Sequence, residues 1–289
     1  MTALMRRTLD NTLCIKDYGE MINDVRFATR TREQLSRVAR DAIAIVPLGA
    51  TEQHGRRLPV HTDTLIVSHL TEHATGLASS RASIVLCPAV PFGFSEHHLR
   101  FGGTVSIDSE TYVRLLVSIG RSLAIDGFRR VLFVNGHGGN VNPGGVAIDR
   151  LSAGNPDVNF GMLSYWDCLT ADMLADFDVP VPGHAGGFEE SLVSAIDPAL
   201  IDGGERSDFT TLDRPLPLVA SDALRGVTRL VRMWEDSDGV TDAAESADAQ
   251  FGARVLEQLG SAIADYIVEF DAATRSEAPG VRVERRENA

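Results

Sequence analysis

Two carboxylates and two imidazoles lie a few positions apart in one short segment of the chain. The segment is GATEQHGRRLPVHTD, residues 49 to 63, and the four side chains are Glu52, His54, His61 and Asp63. Charged groups packed this densely and buried cost on the order of several kcal/mol unless something compensates them. A divalent metal ion would compensate them. A polar surface turn is the alternative interpretation of this segment taken alone.

A fifth candidate, His137, follows a later apolar run in the stretch NGHGGN, residues 135 to 140. The carboxyl ends of parallel strands share one edge of a sheet, so we expect His137 to lie near Glu52 and His54. Asp63, at the start of a helix, can point back towards these residues at the same edge of the sheet. These nitrogen and oxygen donors suit Zn²⁺, Mn²⁺ or Fe²⁺. The alternatives are a turn residue for His137 and a helix N-cap for Asp63.

Other residues at this edge are candidates for contacting a substrate. They are His97 and His98 of the loop FGFSEHHLRFGGT, the loop residues Gly138, Gly139 and Asn140, and Trp166. The two glycines would let the backbone approach a ligand closely. A phosphate cradle is the weaker interpretation of NGHGGN, because the lysine of the GxxxxGK[ST] motif is missing. We expect His61 to be solvated or to support the other ligands.

Buried strands and helices alternate along the chain. Continuous apolar runs predict strands at 42–49, 83–90, 130–136 and 158–165, each buried on both faces, and the stretches between them predict helices at 62–78, about 109–126 and 141–153. This order predicts a parallel sheet covered by helices on both faces.

The second half of the chain adds two helical patterns. The stretch GHAGGFEESLVSAI, residues 183 to 196, predicts a helix entered through a glycine-rich turn, and 249–270 predicts an amphipathic helix that packs on the sheet. Residues 200–245 are irregular and rich in Asp, Gly and Pro. We expect one domain over 1–275 and a disordered tail over 276–289.

The composition of the chain argues against a nucleic-acid-binding protein and against a membrane protein. The chain has 27 basic and 40 acidic residues, a net charge of 27 − 40 = −13, and its basic residues form only isolated pairs. Nucleic-acid binding is therefore not expected. The three cysteines show no CxxC spacing, and no apolar stretch has the length of a signal peptide core or a membrane span. We expect a cytoplasmic protein with a small-molecule substrate and no membrane partner.

Four motifs together resemble the creatininase family of creatinine amidohydrolases, in this order and at this spacing. They are GATEQHGRRLPVHTD, FGFSEHHLRFGGTVSI, VNGHGGN and GHAGGFEESL. The resemblance implies a three-layer α/β/α fold with a mostly parallel central sheet, a two-metal hydrolytic centre and a homohexamer. It also implies that Glu52 and His137 hold one ion, that His54 belongs to the other, and that Asp63 bridges both.

One position departs from creatininase itself. Creatininase carries a metal-binding glutamate two positions after the histidine that matches His137, where this chain has Gly139. The resemblance is therefore to a family member other than creatininase. In the later motif, Glu189 is expected to replace this missing metal ligand, and Glu190 is the second candidate. Gly187 also stands where many members have an acidic residue.

The metal chemistry predicts a reaction. A metal ion lowers the pKa of bound water and polarises a carbonyl, and the leaving nitrogen of an amide then needs a proton. His184 is the candidate donor, acting with Glu189, because an imidazole exchanges protons near neutral pH. The alternative role for His184 is structural: a hydrogen bond to the backbone at the start of a helix. The prediction is a metal-dependent amidohydrolase that cleaves a cyclic amide or formamide, with zinc as the first choice of metal.

Three alternative functions are compatible with the same residues. A noncatalytic member of the same scaffold would bind metal and ligand without turnover. A lactone hydrolase would need no proton on a leaving nitrogen. A peptide-precursor hydrolase would use the same centre, since similar scaffolds include both a formylamino-pyrimidine deformylase and an enzyme that trims a peptide precursor of a redox cofactor.

Overall fold

A parallel sheet of four strands forms the centre of the described part of the chain. The computed structural model describes residues 25–175, 183–204, 233–241 and 247–275. The strands are β1 (Ile43–Leu48), β2 (Ile84–Leu86), β3 (Arg130–Asn135) and β4 (Asn159–Ser164), and their order across the sheet is β2-β1-β3-β4. Every pairing is parallel, and Ile43 lies opposite both Ile84 and Arg130.

Helices cover both faces of this sheet. They are α1 (Arg32–Val38), α2 (Thr62–Ala78), α3 (Ser109–Ile125), α4 (Val141–Gly154), α5 (Gly187–Ile196), the short α6 (Met233–Asp236) and α7 (Ala249–Arg275). Because alternate strand residues point to opposite faces, Ile43 and Ile45 pack with α2, α5 and α7, whereas Ala44 and Val46 pack with α3 and α4. The predicted three-layer α/β/α fold with a parallel sheet is confirmed.

Two strands differ from their predicted form. The run predicted at 83–90 forms a strand only over Ile84–Leu86, and Val90 returns to the sheet through an isolated bridge to Leu48. The strand β4 was expected to be buried on both faces, but its first four residues are exposed or half-buried. This expectation was wrong for those four residues. β4 is one of the two edge strands, and it is less completely covered than the other edge strand, β2, which is buried throughout.

Several predictions fall partly or wholly outside the described residues. Of the stretch predicted to be irregular, 200–245, the structure describes 200–204 and 233–241, and the second piece contains α6. The predicted tail, 276–289, lies outside the described residues, and the division into one domain over 1–275 stays a prediction. No helix in the described ranges is long and apolar enough to cross a membrane.

Two glycines let α2 approach the strand ends closely. A Cβ at Gly49, just after β1, would lie 2.3 Å from Thr64 Oγ1, and one at Gly136, just after β3, would lie 2.7 Å from the Val67 side chain. Any larger residue would push α2 away from the sheet. The close approach brings the first turn of α2, including Asp63, to the carboxyl ends of β1 and β3.

Candidate metal centre

Five potential metal ligands from four different elements meet at this edge of the sheet. Glu52 and His54 follow β1, Asp63 begins α2, His137 follows β3, and Glu189 lies in the first turn of α5. All five are buried. His54 Nε2 lies 3.2 Å from Asp63 Oδ1 and 3.7 Å from Glu189 Oε2. His137 Nδ1 lies 3.3 Å from Glu52 Oε1 and 3.0 Å from Asp63 Oδ2.

Backbone carbonyls fix the orientation of both histidine rings. His137 Nε2 lies 2.9 Å from Phe94 O, and His54 Nδ1 lies 3.0 Å from Glu52 O. A carbonyl only accepts hydrogen bonds, so each of these nitrogens carries a proton and donates it. The other nitrogen of each ring faces the carboxylates. Histidine ligands in metalloproteins are held in this way, with one nitrogen bonded to the protein and the other directed at the metal.

The carboxylates are incompletely satisfied by the protein. While the histidine nitrogens that face them are bare, both oxygens of Glu52 and Oδ2 of Asp63 are buried and accept no hydrogen bond within the described part of the chain. Buried polar atoms without a partner are rare, because losing water without replacement costs about 1–3 kcal/mol or more. A divalent cation among these oxygens would satisfy them, so the residues fit such an ion.

The protonation of this cluster in the metal-free protein follows from its excess of carboxylates. Burial lowers the pKa of His54, but Asp63 and Glu189 outweigh it and raise that pKa to about 10. Burial also lowers the pKa of His137, but Glu52 and Asp63 raise it to about 9. Burial raises the pKa of Glu52 to about 7, partly opposed by His137. Protons on these groups therefore occupy the place that a metal cation would take.

Three sets of side chains have ligand atoms within 4.8 Å of one another, and all the sets found in the described ranges lie at this edge. One set is Glu52, His97 and His137, a second is His54, Asp63 and Glu189, and a third is Glu52, His54 and His184. The first two share no member. These two sets are therefore separate candidate sites for a cation.

Glu189 and Glu190 have different partners. The Oε2 of Glu189 accepts a hydrogen bond of 2.6 Å from the backbone N–H of Ala185 and faces His54. Glu190 is paired with Arg57, with 2.9 Å between Oε1 and Nη2. Glu189, and not its neighbour, is thus the glutamate placed beside the other candidate ligands.

The glycine loop after His137 has no space for a side chain at Gly139. A Cβ at Gly139 would lie 2.0 Å from Phe94 O, although one at Gly138 would meet no atom of the described chain within 4 Å. The Asn140 amide donates to Gly49 O and accepts from Phe94 N, both at 3.1 Å. Asn140, which was predicted to contact substrate, therefore holds two loops together with both ends of its side chain.

Three further histidines border the cluster. The His98 and His184 rings stack 4.4 Å apart, and His97 lies 4.3 Å from the His98 ring. His184 Nε2 donates to Gln53 O at 2.9 Å, so its Nδ1 faces Glu52 Oε1 at 3.5 Å. Burial, and then the charge of His54, hold the pKa of His184 well below 6.5. His184 is therefore neutral and presents a bare nitrogen.

Two further predicted residues adjoin α2 and β4. His61 precedes α2 and is half-buried, with no side-chain capping bond to the helix. Trp166 packs edge-on against Tyr165, 5.1 Å between ring centroids, and against the apolar layer around α7.

Two residues of this site were not predicted from the sequence. Trp234 of α6 lies 4.3 Å from the His98 ring and 5.3 Å from that of His97. The Gln53 side chain contacts both His98 and His184. Gln53 stands between two predicted ligands, and that adjacency was the only signal that could have found it.

Comparisons with known proteins agree with this architecture. The creatininase family model, described as creatinine amidohydrolase, matches residues 28–267. The chain is 34% identical over 229 residues to a mycofactocin precursor peptide peptidase of Mycobacterium tuberculosis (74% of this chain, 80% of the relative). It is 28% identical over 259 residues to the creatinine amidohydrolase of Pseudomonas putida (82% and 94%).

A solved structure of creatininase with manganese superposes with a TM-score of 0.67 at 26% identity, covering 85% of this chain and 98% of that one. The family match spans the sheet, every candidate ligand described above and the helices as far as residue 267 of α7. This chain belongs to the creatininase family, as a member other than creatininase itself.

Proposed function

We propose that this protein is a metal-dependent amidohydrolase that cleaves the C–N bond of a cyclic amide or a formamide. The observation that carries the proposal is the set of buried carboxylates at the carboxyl edge of the sheet, whose oxygens lack donors in the described chain while histidine nitrogens face them. Its place in the creatininase family supports the same chemistry.

The donor set suits two divalent ions, with zinc as the first choice and manganese or iron as alternatives. Glu52 and His137 would hold a tight ion, and His54 and Glu189 a weaker one. The carboxylate oxygens of Asp63 lie within 3.2 Å of a ring nitrogen of each histidine, His54 and His137, so Asp63 would be a ligand of both ions. A cytoplasmic homohexamer acting on a small molecule completes the proposal.

A bound divalent ion would supply an acidified water and a polarised carbonyl. His184 supplies the proton transfer. Its bare Nδ1 accepts a proton from the attacking water, and the water oxygen bonds to the carbonyl carbon. The protonated ring then donates to the amide nitrogen as the C–N bond breaks. The products are a carboxylic acid and an amine. Glu189 fixes the turn that carries His184 by accepting from Ala185 N.

Cleavage of a peptide precursor is the second candidate function. It is supported by the higher identity to the mycofactocin precursor peptide peptidase, 34%, than to creatinine amidohydrolase, 28%. Both candidates use the same water attack and the same proton transfer to nitrogen. They differ only in the substrate that enters.

The test is a screen of the metal-reconstituted protein. Purified protein is loaded with zinc, manganese or iron and assayed against creatinine, hydantoins, formylated aminopyrimidines and short peptides, with His137→Ala as the matched control. We expect turnover of an amide or formamide, little or none of creatinine because the ligand at Gly139 is missing, and none by the control. Peptide cleavage alone would favour the second candidate.

Three results contradict the proposal. Metal content below about a tenth of an equivalent after reconstitution would exclude a metal centre, since a site with this donor set should load fully. Full metal content with no turnover would indicate a noncatalytic member. Turnover of lactones, unaffected by His184→Ala, would indicate ester chemistry in place of amide chemistry.

A further inference from the structure

The Gln53 side chain points away from the carboxylates and joins three parts of the site. Its Oε1 accepts a hydrogen bond of 2.8 Å from the backbone N–H of Gly55. This bond identifies the oxygen end of the amide, because a backbone N–H only donates. The nitrogen end then donates its two hydrogens, one to Gly239 O and one to His98 Nδ1, each at 2.9 Å.

The bond from Gln53 determines which His98 nitrogen carries the proton. A nitrogen that accepts a hydrogen bond is bare, so the proton of the neutral His98 ring is on Nε2. His98 is fully buried, and its Nε2 has no hydrogen-bond partner in the described chain. That Nε2 lies 3.7 Å from Glu52 Oε1. A buried N–H donor without an acceptor is thus directed into the site.

The His98 ring is also held in place by its neighbours. It stacks on His184 with 19° between the ring planes, and Trp234 packs edge-on against it at 4.3 Å. Because Nδ1 accepts a hydrogen bond from Gln53, the ring carries a single proton and is neutral. Gly239 has φ +74°, and a Cβ there would lie 2.6 Å from Gln53, so this glycine allows the bond that anchors the amide.

The two stacked histidines present opposite chemistry near the same oxygen of Glu52. His184 Nδ1, 3.5 Å from Oε1, is a proton acceptor, and His98 Nε2, 3.7 Å from it, is a proton donor. Amide hydrolysis needs both at neighbouring points: an acceptor for the proton of the water and a donor for the carbonyl oxygen, which gains negative charge. A donor already held in the required position stabilises that charge without reorganisation.

We propose that His98 is a further catalytic residue, whose Nε2–H donates to the carbonyl oxygen of the scissile bond, and that Gln53 is the positioning residue that fixes this tautomer. The inference rests on the proposed amide hydrolysis. Its structural half, the tautomer of His98 and its dependence on Gln53, can be measured without turnover.

The tautomer is measured by long-range ¹H–¹⁵N correlation on the full chain with ¹⁵N-labelled histidine, metal-free and zinc-loaded. The His98 signals are assigned by their loss in His98→Gln. We expect a bare Nδ1 and a protonated Nε2 in the wild type. In Gln53→Glu, which has nearly the same shape, the carboxylate accepts from Nδ1 and the proton should move there. A wild-type proton on Nδ1, or a tautomer that Gln53→Glu leaves unchanged, would overturn the inference.

The catalytic half is tested with a matched pair of His98 variants. The amide nitrogen of a glutamine reaches the place of Nε2, whereas an asparagine ends near Nδ1 and can keep only the bond from Gln53. We expect zinc-loaded His98→Asn to lose about 10²-fold in kcat with little change in KM, the usual effect of removing one such donor. His98→Gln should retain at least about tenfold more activity than His98→Asn, with normal zinc content in both.

Equal losses in the two variants at normal zinc content would overturn the catalytic role. A wild type that turns over no amide would contradict the proposed function instead. In that case the His98 tautomer is still measured, so the two failures are separately visible.

Discussion

The two ends of strand β3 both lie beside buried charges, but these charges are balanced in opposite ways. At the amino end, Arg130 pairs with Asp271 at 3.3 Å, and Asp271 also accepts from Arg275 at 2.6 Å. At the carboxyl end, Glu52 and Asp63 keep oxygens with no donor in the described chain. At the first end the buried charges are paired within the chain, and the second end has an excess of carboxylate. The paired charges at the amino end can contribute to the stability of the fold, whereas the unpaired carboxylates at the carboxyl end are suited to bind a cation.

The strongest test asks whether the carboxyl end does chemistry or only binds an ion. Changing His184 to Ala removes the proton carrier, so we expect turnover of the amide substrate to fall by about 10²- to 10⁴-fold while zinc content stays near that of the wild type. Rate assays and metal analysis measure the two effects. Substrates whose leaving group needs no proton should recover part of the rate. Loss of zinc, as expected for His137→Ala, would make His184 a ligand.

Removing one partner at the amino end should affect stability alone. Asp271→Asn leaves the buried Arg130 without its counter-charge, so we expect the free energy of unfolding to fall by about 3 kcal/mol, with zinc content unchanged. Denaturant unfolding of the metal-free protein measures it. The matched control is Asp265→Asn, which breaks the exposed pair with Arg81 and should cost less than about 1 kcal/mol. Equal losses in both variants would remove the distinction between buried and exposed pairs.

The excess carboxylate should make the carboxyl end sensitive to pH in a defined direction. In the metal-free protein His137 and His54 have pKa values raised to about 9 and 10. A raised pKa stabilises the fold fully below the unfolded value of about 6.5, and this contribution is lost as the pH rises through the folded values. We therefore expect metal-free stability to fall between about pH 6.5 and 9.

Zinc binding should respond in the opposite direction, because the ion displaces those protons. Over the same pH range the affinity should rise by about tenfold per unit for each proton displaced. Thermal unfolding and chelator competition measure the two trends. His184→Ala serves as the control and should keep both slopes, because this ring is already neutral. A zinc affinity independent of pH would contradict the protonation described for the cluster.

The smallest expected effect has the opposite sign to that of Asp271→Asn. Glu52→Gln keeps the shape of the side chain and removes one of the excess charges. At pH 8, above the raised pKa of Glu52, it should stabilise the metal-free protein by about 1 kcal/mol while weakening zinc binding. Paired unfolding measurements with and without zinc show both effects. A loss of stability in the metal-free protein would mean that the two ends of β3 do not differ as described.

The strands, the main helices and the place where the ligands meet could be predicted from sequence. Apolar runs delimit β1 and β3, and parallel strands end at one edge, so the residues after them had to meet. Gln53 was missed because a glutamine is not a typical metal ligand. Its contacts with His98 and His184 come from sequence separations of 45 and 131 residues, which no local pattern predicts. Trp234 was not predicted because the ring that it contacts, His98, is far away in the sequence, and no periodic pattern links such distant residues.

Phe94 restricts how this centre can change by mutation. Its carbonyl holds His137 Nε2 and lies 2.0 Å from where a Cβ at position 139 would be. A glutamate introduced at 139 would therefore displace the very group that orients His137 before it could act as a ligand. Gly139→Glu would therefore leave His137 less firmly oriented unless the chain around Phe94 moved as well.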